Sequence, residues 1–321
     1  MQLQPGVWIS PVVRLVRPLG KGGMSRVWVA AHMRLHTQVA VKVLAHSLCS
    51  NAEYRARFYR EARLWSLINS PHLVQTYDCA ELEDGTPFMV MEWLEGETVR
   101  SRLQRAGRLS PTDTLVVIKQ LARALTSAHD AGIVHRDLKP DNLFLLRTPG
   151  TPLLKVLDFG VAKRLESASF DDSIDVSTPT DDSLGTPSYM SPEQLREAFS
   201  VDRHADLWSL AVLAYELFSG RLPFDATDYP SLCFSILQGQ FTPLSTFDPA
   251  WRPLDPWFDK SFAVDIDERY HSAVHAFSEL EGRTEALGGV KPAGAPLPLG
   301  PATDEVDDPD TDVRDEDTIP R

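Results

Sequence analysis

His135, Arg136, Asp137, Leu138, Lys139, Pro140, Asp141 and Asn142 put a carboxylate, an ammonium and an amide into one short stretch. An apolar run of Leu143, Phe144, Leu145 and Leu146 follows directly. Lys139 precedes a proline and so avoids the helical region. The spacing therefore predicts a tight loop that leads into a short strand. A carboxylate in such a loop can orient a hydroxyl and take its proton. An ammonium can meet a phosphate, and an amide oxygen can ligate Mg²⁺. Together these are the parts that phosphoryl transfer requires.

On these residues the chain resembles the protein kinases, and most closely the Ser/Thr kinases of bacteria. The resemblance implies a two-lobed α+β fold with a small β-rich N-lobe and a larger helical C-lobe. It makes Asp137 the group that positions and deprotonates the acceptor, with Lys139 offsetting phosphate charge. Asn142 and Asp158, the latter opening an Asp-Phe-Gly tripeptide, become the Mg²⁺ ligands. ATP is expected to lie under a glycine-rich hairpin, Gly20, Lys21, Gly22, Gly23, Met24 and Ser25, flanked by Leu19 and Val27. Glycines there let backbone N–H groups approach phosphates. Ser25 stands where the family pattern has a third glycine. A Rossmann reading fails, because a strand rather than a helix follows the glycines.

Further residues match in family order. Lys42, within Val39-Ala40-Val41-Lys42-Val43, is expected to hold the α- and β-phosphates, with Ala40 nearby. Its partner is expected to be Glu61, since Glu53 lies too near the start of its helix. Met91 is assigned to the back of the adenine pocket and Phe144 to the nucleotide site. Glu92 and Leu94 are assigned to the hinge, with backbone groups facing the adenine edge. Thr186 resembles the threonine that contacts the catalytic aspartate and lysine, which together with Lys139 favours Ser/Thr over Tyr as acceptor. Asp206 matches a buried aspartate that holds the catalytic loop by its backbone, and Arg269 an arginine that pairs with Glu193. Arg136 is expected to meet a phosphate placed on Thr178 or Thr180, although Asp171, Asp172, Asp175, Asp181 and Asp182 crowd that segment with negative charge.

The elements that must position these residues follow from periodicity. β-Branched alternation predicts strands over residues 12–19, 27–31, 39–43, 72–78 and 87–91. Helical spacing predicts helices over 52–68, 99–106, 110–131, 206–220, 231–238 and 273–281. Ser110 and Pro111 supply an N-cap and a first-turn proline, and Gly132 a stop. Ile133 and Val134 read as a short strand, as do residues 153–157. The expected organisation is an N-terminal extension at 1–11, a kinase domain at 12–283 (N-lobe 12–91, C-lobe 92–283), and a disordered Pro-rich then acidic tail at 284–321.

The chain has 321 residues, 43% of them apolar, and a net charge of −13. Nine acidic and two basic residues between positions 304 and 321 contribute −7 of that charge. The balance argues against nucleic-acid binding. Cys49, Cys79 and Cys233 are far apart, lack metal-ligand spacing and read as reduced, buried thiols. No stretch approaches the ~20 apolar residues of a membrane span, so a cytoplasmic protein is expected. Its expected partners are proteins with Ser/Thr acceptors, and a phosphothreonine-binding partner for the tail, which holds Thr303, Thr311 and Thr318. A pseudokinase scaffold is the alternative function, and intact Lys42, Asp137, Asn142 and Asp158 argue against it. Residues 185–193 suit a peptide acceptor and argue against a small-molecule kinase.

Overall fold

The computed structural model describes residues 3–21, 24–158, 187–196 and 201–287. Strands β1 (Trp8–Ser10), β2 (Val13–Lys21), β3 (Ser25–His32), β4 (Thr37–Leu44), β5 (Thr76–Glu81) and β6 (Pro87–Glu92) form one antiparallel sheet in the order β1-β2-β3-β4-β6-β5. β4 is central and buried on both faces, which suits its β-branched run. Val39, Val41 and Val43 pack with Trp28, Ala30, Phe88 and Val90 on one face. Ala40 and Leu44 point the other way, with Met89 and Met91, toward α1 (Ala52–Leu67) and the second lobe. Asn51 caps α1 by accepting a bond from the Glu53 N–H at 2.8 Å.

The second lobe is helical. Its elements are α2 (Val99–Ala106), α3 (Pro111–Asp130), α4 (Pro192–Arg196), α5 (Arg203–Ser219), α6 (Tyr229–Gln238), α7 (Asp255–Ser261) and α8 (Ala273–Glu285). β7 (Gly96–Thr98), β8 (Leu143–Leu146) and β9 (Leu153–Val156) make a small antiparallel sheet beneath the first lobe. α5 is buried all round from Ala205 to Phe218, so it forms the centre of the lobe. Trp208 on it stacks on Phe224 at 5.3 Å and lies under the Arg269 guanidinium. Gly96 has φ +158°, and a Cβ there would sit 2.0 Å from the Leu145 carbonyl oxygen. Only glycine lets β7 lie that close to β8.

Several expectations need correction. Trp8–Ser10, inside the stretch set apart as an extension, pairs with β2, because Ile9 can join the outer apolar face of the sheet. The strand expected at 72–78 begins only at Thr76. His72 and Leu73 instead reach toward β9, through a Leu73–Val156 bridge and a 3.1 Å bond between His72 Nδ1 and the Leu154 carbonyl. Ile133 and Val134 form no strand: Gly132 (φ +72°) turns the chain back and the Ile133 N–H bonds to the Ala128 carbonyl at 2.9 Å. The boundary set at 283 falls inside α8, whose Thr284 is buried. All three cysteines are half-buried rather than enclosed. Among the described residues no helix is long and apolar enough to cross a membrane.

Candidate active site

Lys42 sits in β4 opposite Val27 on β3 and Met89 on β6. Ala40 lies two residues away on the same face, opposite Met91. The Lys42 Nζ is 2.7 Å from Glu61 Oε1 and 2.8 Å from Asp158 Oδ1. One ammonium therefore joins the sheet, α1 and the end of β9. Burial would lower the Lys42 pKa, but Asp158 and Glu61 outweigh it and hold it above the ordinary lysine value. Burial pushes the Glu61 carboxyl up against the pull of Lys42. Burial would raise Asp158 too, but the adjacent ammonium holds that carboxyl below its usual range.

The loop holding Asp137 is fixed from below by Asp206, which is fully buried in the first turn of α5. Its Oδ2 accepts the His135 N–H and its Oδ1 the Arg136 N–H, each at 2.8 Å. His129 Nε2 lies 2.8 Å from the same Oδ2. Arg136 has φ +68°, a left-handed conformation that a non-glycine residue adopts at a cost. Its guanidinium donates to the Val201 carbonyl at 2.9 Å, and its own carbonyl accepts from Gln194 Nε2 at 2.9 Å. Asp137 N–H donates to His135 Nδ1 at 3.2 Å. Lys139 Nζ lies 3.6 Å from Asp137 Oδ2.

Asn142 closes the loop. Its Nδ2 donates to the Asp137 carbonyl at 2.8 Å and to Asp137 Oδ2 at 3.2 Å. The Leu157 N–H donates to the Asn142 carbonyl at 2.8 Å, which sets Asp158 beside the loop. With its amide N–H groups turned to Asp137, Asn142 keeps its side-chain oxygen as the atom able to ligate a cation. That oxygen and the Asp158 carboxylate are the hard donors that Mg²⁺ takes.

The remaining predicted residues divide. Leu19 and Gly20 lie on β2, with Gly20 opposite Val27, and Lys21 ends that strand. Met24 accepts the Ala45 N–H at 2.8 Å, and Ser25 opens β3. Phe144 is half-buried on β8, opposite Lys155. Met91 is buried, and Leu94 is partly buried against the main core. Gly22, Gly23, Thr178, Thr180 and Thr186 lie outside the described residues. Glu193 and Arg269 form a two-pronged pair, 3.0 Å at each prong.

Sequence reasoning passed over several groups. The Glu92 carboxylate accepts the Gln75 N–H at 2.8 Å and pairs with buried Lys155 at 2.5 Å. Lys155 also donates to the Leu73 carbonyl at 3.1 Å. His129 and Gln194 were equally unremarked. Each meets a partner 58 to 77 residues away, and no local pattern carries such a pairing.

Residues 13–261 match the family model for the protein kinase domain, and the chain belongs to that family. Among curated relatives it is similar to the serine/threonine-protein kinase pkn2 of Myxococcus xanthus, with 43% identity over 214 residues, 66% of this chain and 25% of that protein. Serine/threonine-protein kinase PknB of Mycobacterium tuberculosis is 35% identical over 266 residues, 82% of this chain and 41% of that protein. PrkC of Bacillus subtilis is 34% identical over 282 residues, 88% and 42%. The chain thus spans between 25% and 42% of the length of these relatives. Among solved structures it resembles the Mycobacterium tuberculosis PknI kinase domain, with a TM-score of 0.66, 26% identity, and coverage of 88% of this chain and 100% of that one.

Proposed function

We propose that this chain is a serine/threonine protein kinase that moves the γ-phosphoryl group of ATP to a Ser or Thr hydroxyl of a protein. The observation that carries the reading is the ammonium of Lys42 bridging Glu61 and Asp158 next to the Asp137–Asn142 clamp. Asp137 orients the acceptor hydroxyl and takes its proton as the oxygen–phosphorus bond forms. The bond from the γ-phosphorus to the β,γ-bridging oxygen breaks, and ADP leaves with that oxygen. Lys42 and Lys139 offset charge on the phosphates. Asn142 and Asp158 would hold Mg²⁺, which when bound neutralises phosphate charge as it develops. The site acts mainly by positioning and electrostatics.

Leu19, Gly20, Val27, Ala40 and Met91 would cover and back the nucleotide, with main-chain groups of Glu92 and Leu94 at the adenine edge. Thr178 and Thr180 would be self-phosphorylated, and the phosphate would draw Arg136 from the Val201 carbonyl. A cytoplasmic setting agrees with this reading. The test is incubation of the purified chain with Mg²⁺ and γ-labelled ATP, beside Asp137→Asn, with sites mapped by mass spectrometry. Label on Thr178 or Thr180 in the wild type alone is the expected result. Equal label in both proteins would overturn the role given to Asp137.

A further inference from the structure

Ser191 and Gln194 face each other across the first turn of α4. The Gln194 N–H donates to the Ser191 hydroxyl at 3.4 Å, and Gln194 Oε1 accepts the Ser191 N–H at 3.1 Å. The Ser191 hydroxyl also approaches that oxygen, at 3.3 Å. A serine N-cap answered by a glutamine three residues on is a capping box, which satisfies two backbone donors reciprocally. It also fixes how the Gln194 amide is turned. Its oxygen must face the Ser191 N–H, which can only donate, so its nitrogen points out of the turn. That nitrogen donates to the Arg136 carbonyl at 2.9 Å. The carbonyl can only accept, so a flipped amide would set like against like at both ends.

That carbonyl belongs to the peptide bond leading into Asp137. The bond is planar, and both of its polar ends are held: the oxygen by Gln194, and the N–H by His135 Nδ1 at 3.2 Å. One peptide earlier, Asp206 takes the Arg136 N–H at 2.8 Å. The left-handed Arg136, at φ +68°, is therefore gripped from α5 on one side and from α4 on the other. α4 is itself tied down, because its Glu193 pairs with Arg269 at both prongs. A glutamate at position 194 would complete the capping box equally well, but once ionised it has no hydrogen to give. The amide is required for the loop, not for the helix. We infer that Gln194 is a positioning residue: its amide N–H sets the peptide plane before Asp137 and so aims that carboxylate at the acceptor hydroxyl. The inference deepens the kinase reading and rests on it for its catalytic readout.

The test separates the cap from the donor. Gln194→Glu keeps the capping box and loses the N–H toward Arg136. Its kcat on a Ser/Thr peptide should fall about tenfold. KM for ATP and for the peptide should stay near the wild-type values, because the loss falls on the transition state alone. Gln194→Met, of similar length and without polar hydrogens, should show the same split. Tyr215→Phe, which removes a 2.6 Å bond to the Thr242 carbonyl toward the other end of α5, should lower the melt and leave kcat unchanged. Backbone amide exchange over residues 135–142, followed by mass spectrometry, reads the loop without any phosphate transfer and should quicken in both Gln194 variants. Folded variants with wild-type kcat and exchange overturn the inference. So does a loss confined to KM, and so do melts that fall below the assay temperature, which would make Gln194 a stabilising residue only. A wild type that phosphorylates no peptide nor itself, with exchange still quickened in the variants, strikes the kinase reading and leaves the hold on the loop supported.

Discussion

Replacing Asp206 by Asn tests how the loop of Asp137 is held. The carboxylate gives both oxygens to backbone N–H groups, those of His135 and Arg136, and to His129 as well, all at 2.8 Å. An amide keeps one acceptor and turns a donor toward one of those N–H groups. Leaving a buried donor unsatisfied costs about 1–3 kcal/mol, and bonds to a charged acceptor contribute about 1.5–3 kcal/mol. A loss of about 3 kcal/mol follows. For a domain of this size that lowers Tm by about 6–12 °C. Arg136, at φ +68°, is kept in its left-handed conformation partly by the Asp206 bond. That conformation stores about 1–2 kcal/mol, which is released when the bond weakens. Asp137 then shifts with the loop, and a displacement of about 1 Å costs roughly 10²-fold in rate. Thermal unfolding by circular dichroism and kcat on a peptide measure the two effects. A variant melting within about 2 °C of wild type with unchanged kcat would refute this account, since about 1 kcal/mol is then the most the bonds contribute.

Lys42→Met should lower kcat by at least about 10²-fold, measured in the same peptide assay, while the protein stays folded. Arg269→Ala should cost about 3–5 kcal/mol in denaturant unfolding, because it leaves Glu193 with a partly buried, unpaired charge. Gly96→Ala should destabilise by about 1–3 kcal/mol, whereas Gly20→Ala, where a Cβ meets nothing within 4 Å, should leave the melt unchanged. Burial holds the His72 imidazole below its ordinary value of 6.5, against the pull of the Leu154 carbonyl. Its contribution to stability is therefore full above the unfolded value and is lost as pH falls through the lowered folded value. Melts taken between pH 7 and pH 5 should fall less steeply for His72→Gln than for wild type.

The parts of the site that were legible share one property: their meaning is local. Lys42 is marked by the β-branched run around it, and Glu61 by its depth within a helical period. Ser110, Pro111 and Gly132 bound α3 through capping chemistry that acts within a turn. What stayed hidden is set by contacts between segments far apart in the chain. Nothing near Arg100 says that Glu216 and Tyr189 will meet it, and nothing near Lys155 points to Glu92. The slip of β5 has the same cause. Leu73 is as apolar as a strand asks, yet β9 takes it and His72 first. Ile133 and Val134 have strand chemistry, but the backbone turn at Gly132 returns the Ile133 N–H to the helix it follows.

The crossing between the lobes behaves as a flexure of fixed length. On one side Glu92 is anchored by Gln75 and Lys155. On the other, the Arg147 N–H holds the Glu95 carbonyl at 2.8 Å, and Gly96 lies hard against Leu145. Trp93 and Leu94 stand between these two sets of anchors, a joint with few torsions to share a rotation, and the Leu73–Val156 bridge and the Lys42–Asp158 pair tie the lobes beside it. Substitutions there would change how stiffly the cleft opens, and those at Glu92 would move the pivot itself.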